Sequence, residues 1–186
     1  MKFSITTLLL ISIFVTSCQH KSKLQKEFLC DTHRFNDTET IADFKNKFTL
    51  EIPKSWKTQL YFDNVQTQIM TADTTKNLTN TFTVNVEYNS GNLEINKEFT
   101  TKILNDLKEK QLQVLKNKKD IFNEKPSYWT VSKGKKLKYD FYYFELFVKQ
   151  NNTHYFKLTS DIYGNENIDE RFCESIALME SLTFIE

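Results

Sequence analysis

Alternating apolar and polar positions predict that most of this chain is β-strand. Apolar side chains take every second position at 48–52 and again at 81–88, which is the period of a half-buried strand. Pro53 ends the first of these strands. Further strands are predicted at 59–63, 67–72, 121–123, 128–132, 136–149 and 153–161.

The strand at 136–149 is apolar on both faces. One face carries Leu137, Tyr139, Phe141 and Tyr143, and the other carries Tyr142, Phe144, Leu146 and Val148. A strand with two apolar faces is covered on both sides, so this pattern predicts a central strand between two layers. Asp140 and Glu145 fall within the same run, and we interpret them as solvated residues near the strand ends.

Two segments have helical spacing instead. The first extends from Lys97 to about Lys116 and the second from about Asn167 to Leu182. Their apolar stripes are Phe99, Ile103, Leu107, Val114 and Leu115 in the first, and Ile168, Phe172, Ile176 and Met179 in the second. Two carboxylates, Asp169 and Glu170, lie in the first turn of the second helix, where the helix dipole favours them. The chain is therefore expected to form one α+β domain.

The order of these elements resembles that of the PsbP-like family, which includes photosystem accessory subunits and the nuclear Ran release factor. The matching motifs are Phe48–Trp56, which reads FTLEIPKSW, the mid-chain helix, and the ending Ser181–Phe184. The resemblance implies an antiparallel sheet flanked by helices, an α/β/α sandwich, in a domain spanning residues 41–186. One departure is Lys125-Pro126-Ser127, where the family usually has a glycine.

The first eighteen residues look like a bacterial lipoprotein signal. Lys2 precedes an apolar run from Leu8 to Val15, and two small residues, Thr16 and Ser17, precede Cys18. The apolar run is about ten residues long, well short of the roughly 20 that a spanning helix needs. We expect residues 1–17 to be removed as a signal peptide and Cys18 to carry the lipid. An uncleaved anchor, or a secretory signal cut elsewhere, remains the alternative.

Residues 18–40 are expected to form a tether and an N-terminal segment, of which the polar stretch 19–23 would be solvated. The predicted location is the cell envelope, on the extracytoplasmic side of a bacterial membrane. That space would be the periplasm if the cell has two membranes. Gln19, in place of an aspartate, would then favour release to the outer membrane.

Export leaves Cys30 and Cys173 as an even pair in a compartment that permits oxidation. A bridge between them would tie the end of the tether to the last helix and stabilise the fold. Two buried free thiols are the alternative, because cysteine is among the most buried residue types.

The charges exclude one class of partner and suggest another. The chain has 25 basic and 24 acidic side chains, so binding to nucleic acid is not expected. Residues 97–119 carry a net charge of about +4 and residues 161–180 about −5, by simple count of Lys, Arg, Asp and Glu. This dipole could steer the domain towards a charged partner or a membrane face, but ordinary solvated helix surfaces are the simpler interpretation, since charged outer faces are the norm.

No catalytic constellation is visible in the sequence. Cys30 and His33 have one close metal-ligand spacing, whereas a structural zinc needs two such pairs, so a surface histidine beside a disulfide is the simpler interpretation. His154 lies in a predicted strand and His20 in the tether, and no strained serine elbow is present. We therefore expect neither an enzyme nor a bound metal or cofactor.

The predicted function is that of a membrane-anchored, non-catalytic binding or accessory protein of an envelope complex. Its expected partners are the membrane, through the lipid on Cys18, and an envelope protein. The alternative is a carrier for a small apolar ligand, since the 16 Phe and eight Tyr side chains could line a pocket. Aromatic side chains more often simply fill the core.

Overall fold

The structure is a computed structural model and describes residues 21–185. The helices are α1 (Lys23–Glu27), α2 (Lys97–Glu109) and α3 (Ile168–Glu180), with a 3₁₀ turn at Leu78–Asn80. The strands are β1 (Thr38–Ala42), β2 (Phe48–Pro53), β3 (Lys57–Phe62), β4 (Gln66–Ala72), β5 (Phe82–Ser90), β6 (Gln113–Phe122), β7 (Lys125–Lys136), β8 (Tyr139–Lys149), β9 (His154–Tyr163) and β10 (Thr183–Phe184).

Seven strands form one antiparallel sheet in the order β3-β4-β5-β9-β8-β7-β6. A second, three-stranded sheet has the order β1-β2-β10 and packs against one face of the first. Strands β3, β4 and β5 pair in sequence order, and so do strands β6, β7, β8 and β9. The pairing of β5 with β9 joins these two groups. The predicted α+β class, an antiparallel sheet flanked by helices, is confirmed.

Two hydrophobic clusters lie on opposite faces of the large sheet. The larger one joins α3 and the small sheet to the face that carries Trp129, Phe144 and Phe156. The smaller one joins Ile103 and Leu107 of α2 to the other face. Strand β8 contributes to both clusters, which confirms that it is covered on two sides.

Helix α2 is shorter than predicted. It ends at Glu109, because Gln111 takes a left-handed backbone conformation (φ 60°) and the N–H of Leu112 closes the last turn on the carbonyl of Leu107. Val114 and Leu115, which fit the helical stripe, belong to β6 instead. We predicted only the end of this strand, since most of its side chains are polar or charged and lack alternation.

The strand predicted at 136–149 begins only at Tyr139, because Lys136 is the last residue of β7. Leu137 has φ 58° and, with Lys138, forms the turn between β7 and β8. At the other end of β7, the consecutive positive φ angles of Asn123 and Glu124 make the β6–β7 turn. This turn precedes Lys125-Pro126-Ser127, so the missing family glycine falls inside a strand and not in the turn.

The expectation that residues 22 and 23 belong to a solvated tether is wrong. Ser22 caps α1, because its Oγ accepts the N–H of Gln25 at 3.0 Å. Leu24 is buried in the larger cluster. The N-terminal segment is therefore held against α3 and β6 from the first described residues onwards.

Cys30 and Cys173 form a disulfide in this structure, with their Cα atoms 5.3 Å apart. Cys30 is buried, and Phe28 beside it packs against Trp129 and Phe172. The bridge joins the segment after α1 to the middle of α3, where the sequence analysis placed it.

Two glutamates hold α1 and have opposite pKa shifts. Glu27 binds Lys116 and Lys118, at 2.5 Å from each, and these contacts lower its pKa to about 2. Burial raises the pKa of Glu180, although hydrogen bonds from Ser22 and Gln25 oppose the shift. The two carboxylates should therefore contribute to stability with opposite dependence on pH.

We expect Glu180→Gln and Glu27→Gln to change the pH profile of unfolding in opposite directions. Glu180 costs stability as the pH rises from the ordinary value of 4.5 through its raised pKa, so Glu180→Gln should gain relative to the wild type there. Glu27 loses its stabilisation as the pH falls from 4.5 towards about 2, so Glu27→Gln should lack that loss. Urea unfolding of each variant, measured at pH values above and below 4.5, gives its free energy of unfolding as a function of pH. Parallel profiles for the two variants would contradict the opposite pKa shifts of Glu27 and Glu180.

Candidate functional site

The face of the large sheet that α2 covers only in part is the best candidate site. Helix α2 packs over β6, β7 and β8 through Ile103 and Leu107, whereas side chains of β3, β4 and β5 on the same face are partly or fully exposed. We call the uncovered part the polar face. It comprises Gln59, Tyr61, Gln68, Met70, Asn85, Glu87, Tyr143, Glu145, Lys157, Thr159 and Asp161.

The strand register brings these residues together. Glu145 of β8 pairs with Thr159 of β9, which pairs with Asn85 of β5, which in turn pairs with Met70 of β4. Side chains of directly paired residues point to the same face of a sheet. Residues that are far apart in the sequence therefore form one continuous row across four strands.

Glu145 is the centre of the polar face. Its side chain is buried, with the residue only 4% exposed, and it forms an ion pair with Lys157 at 3.1 Å. The hydroxyl of Tyr143 donates to the same carboxylate oxygen at 3.2 Å. Burial, and then the charge of Glu145, raise the pKa of Tyr143 far above its ordinary value, so this hydroxyl remains protonated.

This arrangement corrects our interpretation of Glu145 as a solvated residue near a strand end. The charge is paired and hydrogen-bonded, as a buried carboxylate must be. Asp140 does lie at the end of β8, where it accepts a hydrogen bond from Asn165. Lys157 and Glu87 were missed as site residues, although Lys157 shares an alternating strand face with Tyr155 and Thr159.

A second ion pair lies beside the first, at the C-terminal end of α2. Lys136 binds Asp161 at 2.9 Å and lies over the ring of Phe141, 4.8 Å from its centre. Although burial opposes the charged form, hydrogen bonds to Tyr163 and Asp161 raise the pKa of Lys136. The lysine therefore stays charged.

The second ion pair borders an open pocket of about 400 Å³. Its lining is Lys110, Leu112, Lys135, Lys136, Phe141, Tyr143, Thr159 and Asp161. Four of these eight residues are charged, so the pocket does not have the apolar walls that a carrier for an apolar ligand needs. Trp129, Tyr128 and Phe144 are among the largest fully buried side chains and pack in the core.

Some buried polar atoms on this side of the sheet lack a partner. Among the described residues, no group hydrogen-bonds to Asn85 Oδ1 or to Thr130 Oγ1, although the amide nitrogen of Asn85 donates to Glu87 at 2.6 Å. Thr130 pairs with Glu145 and so lies in the same row. The row therefore contains a charged pair, Glu145 and Lys157, together with two buried oxygen atoms that accept or donate no hydrogen bond among the described residues.

The two histidines among the described residues, His33 and His154, lie apart from the polar face. His33 packs against Phe35, with ring centres 4.6 Å apart, and lies 4.0 Å from Glu174. His154 stacks on Tyr88. Across residues 21–185 no three His, Cys, Asp or Glu side chains are grouped so that they could hold a metal ion.

The charged segments of the chain are separated, but several of their charges are paired. Helices α2 and α3 pack on opposite faces of the large sheet. Lys116 and Lys118 of the basic segment bind Glu27, and Asp161 of the acidic segment binds Lys136.

Cys18 and the signal peptide at 1–17 lie outside the described residues. Within residues 21–185, no helix has the length and apolar character to span a membrane.

No family model matches this sequence, and no curated protein matches it either. Solved structures do match its fold. A protein from Bacteroides thetaiotaomicron has a TM-score of 0.52 at 7% identity, over 81% of this chain and 49% of its own. The chain thus spans about half the length of that protein.

A mutant of the protein Mog1 has a TM-score of 0.50 at 7% identity, over 80% of this chain and 96% of its own. Cyanobacterial PsbP from Synechocystis has a TM-score of 0.48 at 12% identity, over 84% and 97%. The similarity to Mog1 supports the PsbP/Mog1-like fold that the sequence resemblance implied. At these identities the similarity concerns the fold alone.

Proposed function

We propose that this protein is a lipid-anchored extracytoplasmic accessory protein that binds an envelope protein through the polar face. The observation that carries the proposal is the row centred on Glu145. Glu145 itself is buried, but its partner Lys157 and the second pair, Lys136 and Asp161, remain partly exposed and are fixed by these ion pairs on a part of the sheet that α2 leaves uncovered. Fixed charges of mixed sign give an interface specificity and register.

Two features support the extracytoplasmic location. The disulfide between Cys30 and Cys173 fits an oxidising compartment, since such bridges are rare where thiols are kept reduced. The sequence before the described residues resembles a lipoprotein signal ending at Cys18. Two acyl chains would anchor the protein stably, whereas one would bind only marginally.

The polar face favours binding over catalysis. Two of its carboxylates are neutralised by lysines, with Glu145 bound to Lys157 and Asp161 bound to Lys136, and the third, Glu87, accepts a hydrogen bond from Asn85. A general acid or base would instead need a free group whose pKa is close to the working pH. The site needs no cofactor for the role proposed.

A photo-crosslinking residue tests the proposed interface in intact cells. Met70 lies on the polar face and is 38% exposed, so a crosslinker there should capture one envelope protein. Glu87→Lys should abolish this adduct by reversing a neighbouring charge. Lys102, on the outer surface of α2, is the matched control and should give no such adduct. Equal adducts from Met70 and Lys102 would contradict the proposal.

The anchor is tested separately by fractionation. Cys18→Ala should move the protein from the membrane to the soluble fraction. Mass spectrometry of the mature N-terminus should show acylation of Cys18 in the wild type. An unmodified Cys18 in membranes would contradict the lipid anchor, whatever the crosslinking result.

A further inference from the structure

An exposed apolar tip lies where two turns meet. Phe44, in the β1–β2 turn, is 58% exposed, and Phe62, at the end of β3, is 47% exposed. Their rings stack with centres 3.9 Å apart. Val65, in the β3–β4 turn, is 59% exposed. We call these three residues the aromatic tip.

The two turns that carry the aromatic tip are bound to each other. Lys45 Nζ donates to the carbonyl of Asp63 at 2.5 Å, and Thr67 Oγ1 donates to the buried carboxylate of Asp43 at 2.8 Å. Asp63 accepts the N–H groups of Val65 and Gln66, which lowers its pKa. The aromatic tip is therefore held in place and stays exposed, although burial within the chain would be favourable.

The aromatic tip and the start of the described chain lie at the same end of the large sheet. Ser22 donates to Glu180, the last residue of α3. Ile185 lies five residues after Glu180. Its N–H donates to the carbonyl of Lys47, which is in the turn that carries Phe44. Five residues span at most about 18 Å, so the turn that carries Phe44 lies within about 20 Å of the end of α3, against which the described chain begins.

The register of the sheet agrees with this placement. Following the pairs from Ser127 of β7 through Val148, Phe156, Tyr88 and Thr67 leads to Phe62. Ser127 lies close to the β6–β7 turn, and Asn123 of that turn borders the same pocket as Ser22. The opposite end of β7 carries Leu137.

Leu137 provides an internal comparison. It is 82% exposed in the β7–β8 turn and is surrounded by lysines in the sequence, so it too could contact a membrane. Strand β7 has 12 residues, which places Leu137 about 36 Å from the tether end at about 3.3 Å per residue. Four residue steps from Cys18 to Ser22 reach at most about 14 Å, so the anchored membrane lies at the end opposite to Leu137.

We propose that the aromatic tip is a second membrane contact, which inserts into the bilayer that holds the lipid on Cys18. Lys45 and Lys47 follow Phe44 in the same turn and suit an anionic membrane surface, while the phenyl rings suit the boundary below the headgroups. This inference rests on the proposed lipid anchor. Contacts at two points fix the orientation of the domain, whereas a lipid tether alone leaves it free to rotate.

The test uses the full lipidated protein in vesicles of phosphatidylglycerol and phosphatidylethanolamine. A single added cysteine is labelled with an environment-sensitive dye, at Val65→Cys or at the control Leu137→Cys. The native cysteines do not react, because Cys30 and Cys173 are bonded to each other and Cys18 carries lipid. Both labelled positions are on exposed turns, so the fold should tolerate them.

The dye at position 65 should shift its emission to the blue and be quenched by doxyl lipids, and the dye at position 137 should show neither effect. Phe44→Ser combined with Phe62→Ser should remove the signal at position 65. In the unlipidated Cys18→Ala protein, the same two substitutions should weaken vesicle binding about tenfold. Circular dichroism checks that these variants are folded.

Other outcomes overturn the inference. Equal signals at the two positions, or a signal at 137 alone, would exclude the proposed orientation while leaving the lipid anchor intact. A blue shift at position 65 before vesicles are added, together with dimer formation, would show that a second copy of the chain covers the aromatic tip. Absence of lipid on Cys18, which is measured by mass, would overturn the proposed function itself and with it the basis of the inference.

Discussion

Replacing both Cys30 and Cys173 by serine will lower the free energy of unfolding by about 4–5 kcal/mol. The bridge closes a loop with a sequence separation of 143 residues, and the chain-entropy model assigns about 4.7 kcal/mol to a loop of about 100 residues. A domain of this size loses about 2–4 °C of melting temperature per kcal/mol, so the midpoint should fall by about 8–20 °C. Thermal and urea unfolding measure the change.

Cys18→Ser is the matched control, since it also removes one sulfur but leaves the bridge intact. With the signal peptide removed from both proteins, the Cys18→Ser variant should have the same melting temperature and free energy of unfolding as the wild type. The serine variant of Cys30 alone should also lose its shifted mobility on non-reducing gels. An unchanged melting temperature in the double variant would show that the bridge contributes nothing to the fold.

Replacing Arg171 by leucine will destabilise the protein by about 3–4 kcal/mol. Arg171 is 4% exposed and lies on the inner face of α3. Its guanidinium donates to the carbonyls of Thr81 at 3.0 Å, Tyr163 at 2.8 Å and Glu166 at 2.6 Å. Leucine would leave these acceptors without a donor, and each unsatisfied buried group costs about 1–3 kcal/mol.

The adjacent Glu170 supplies the control, because it is exposed and lies in the same turn of α3. Glu170→Gln should change stability by less than about 0.5 kcal/mol. Arg171→Lys should fall between the two, since a lysine keeps the charge but cannot donate in the fork geometry of a guanidinium. If Arg171→Leu unfolded at the same urea concentration as Glu170→Gln, the three hydrogen bonds would not stabilise the fold.

Arg171 also illustrates what local pattern could not predict. In the sequence it is one charged residue among several in the first turns of an amphipathic helix. Its burial depends on the carbonyls of Thr81, which follows the 3₁₀ turn, and of Tyr163 at the end of β9, with sequence separations of 90 and 8 residues. Only the packed fold brings these acceptors to one side chain.

The error at the boundary between α2 and β6 has a similar origin. Val114 and Leu115 continue the helical stripe of α2, but the turn at Gln111 and pairing with β7 place them in a strand. Gly134 lies at that corner, where a Cβ atom would come within 2.6 Å of the Leu112 side chain. The close approach of two chain segments therefore sets the end of the helix, and no local signal encodes it.

Glu145 shows the same limit for the candidate site. Its neighbours in sequence are apolar, and a lone carboxylate in such a strand gives no sign of its partner. Lys157 becomes the partner because β8 and β9 pair in one register across the hairpin at 150–153. A shift of one residue would turn every side chain to the other face.

The sequence alone determined the periodic features of this protein: the alternating strands, the two apolar stripes, the two-sided character of β8 and the pairing partner available to Cys30. These follow from local periodicity and from counting. The tertiary structure decided where α2 ends, why Arg171 and Glu145 are buried, how the polar face is assembled and where the aromatic tip lies. The physical reason is that these features depend on contacts between residues far apart in the chain, and strand register and packing create those contacts.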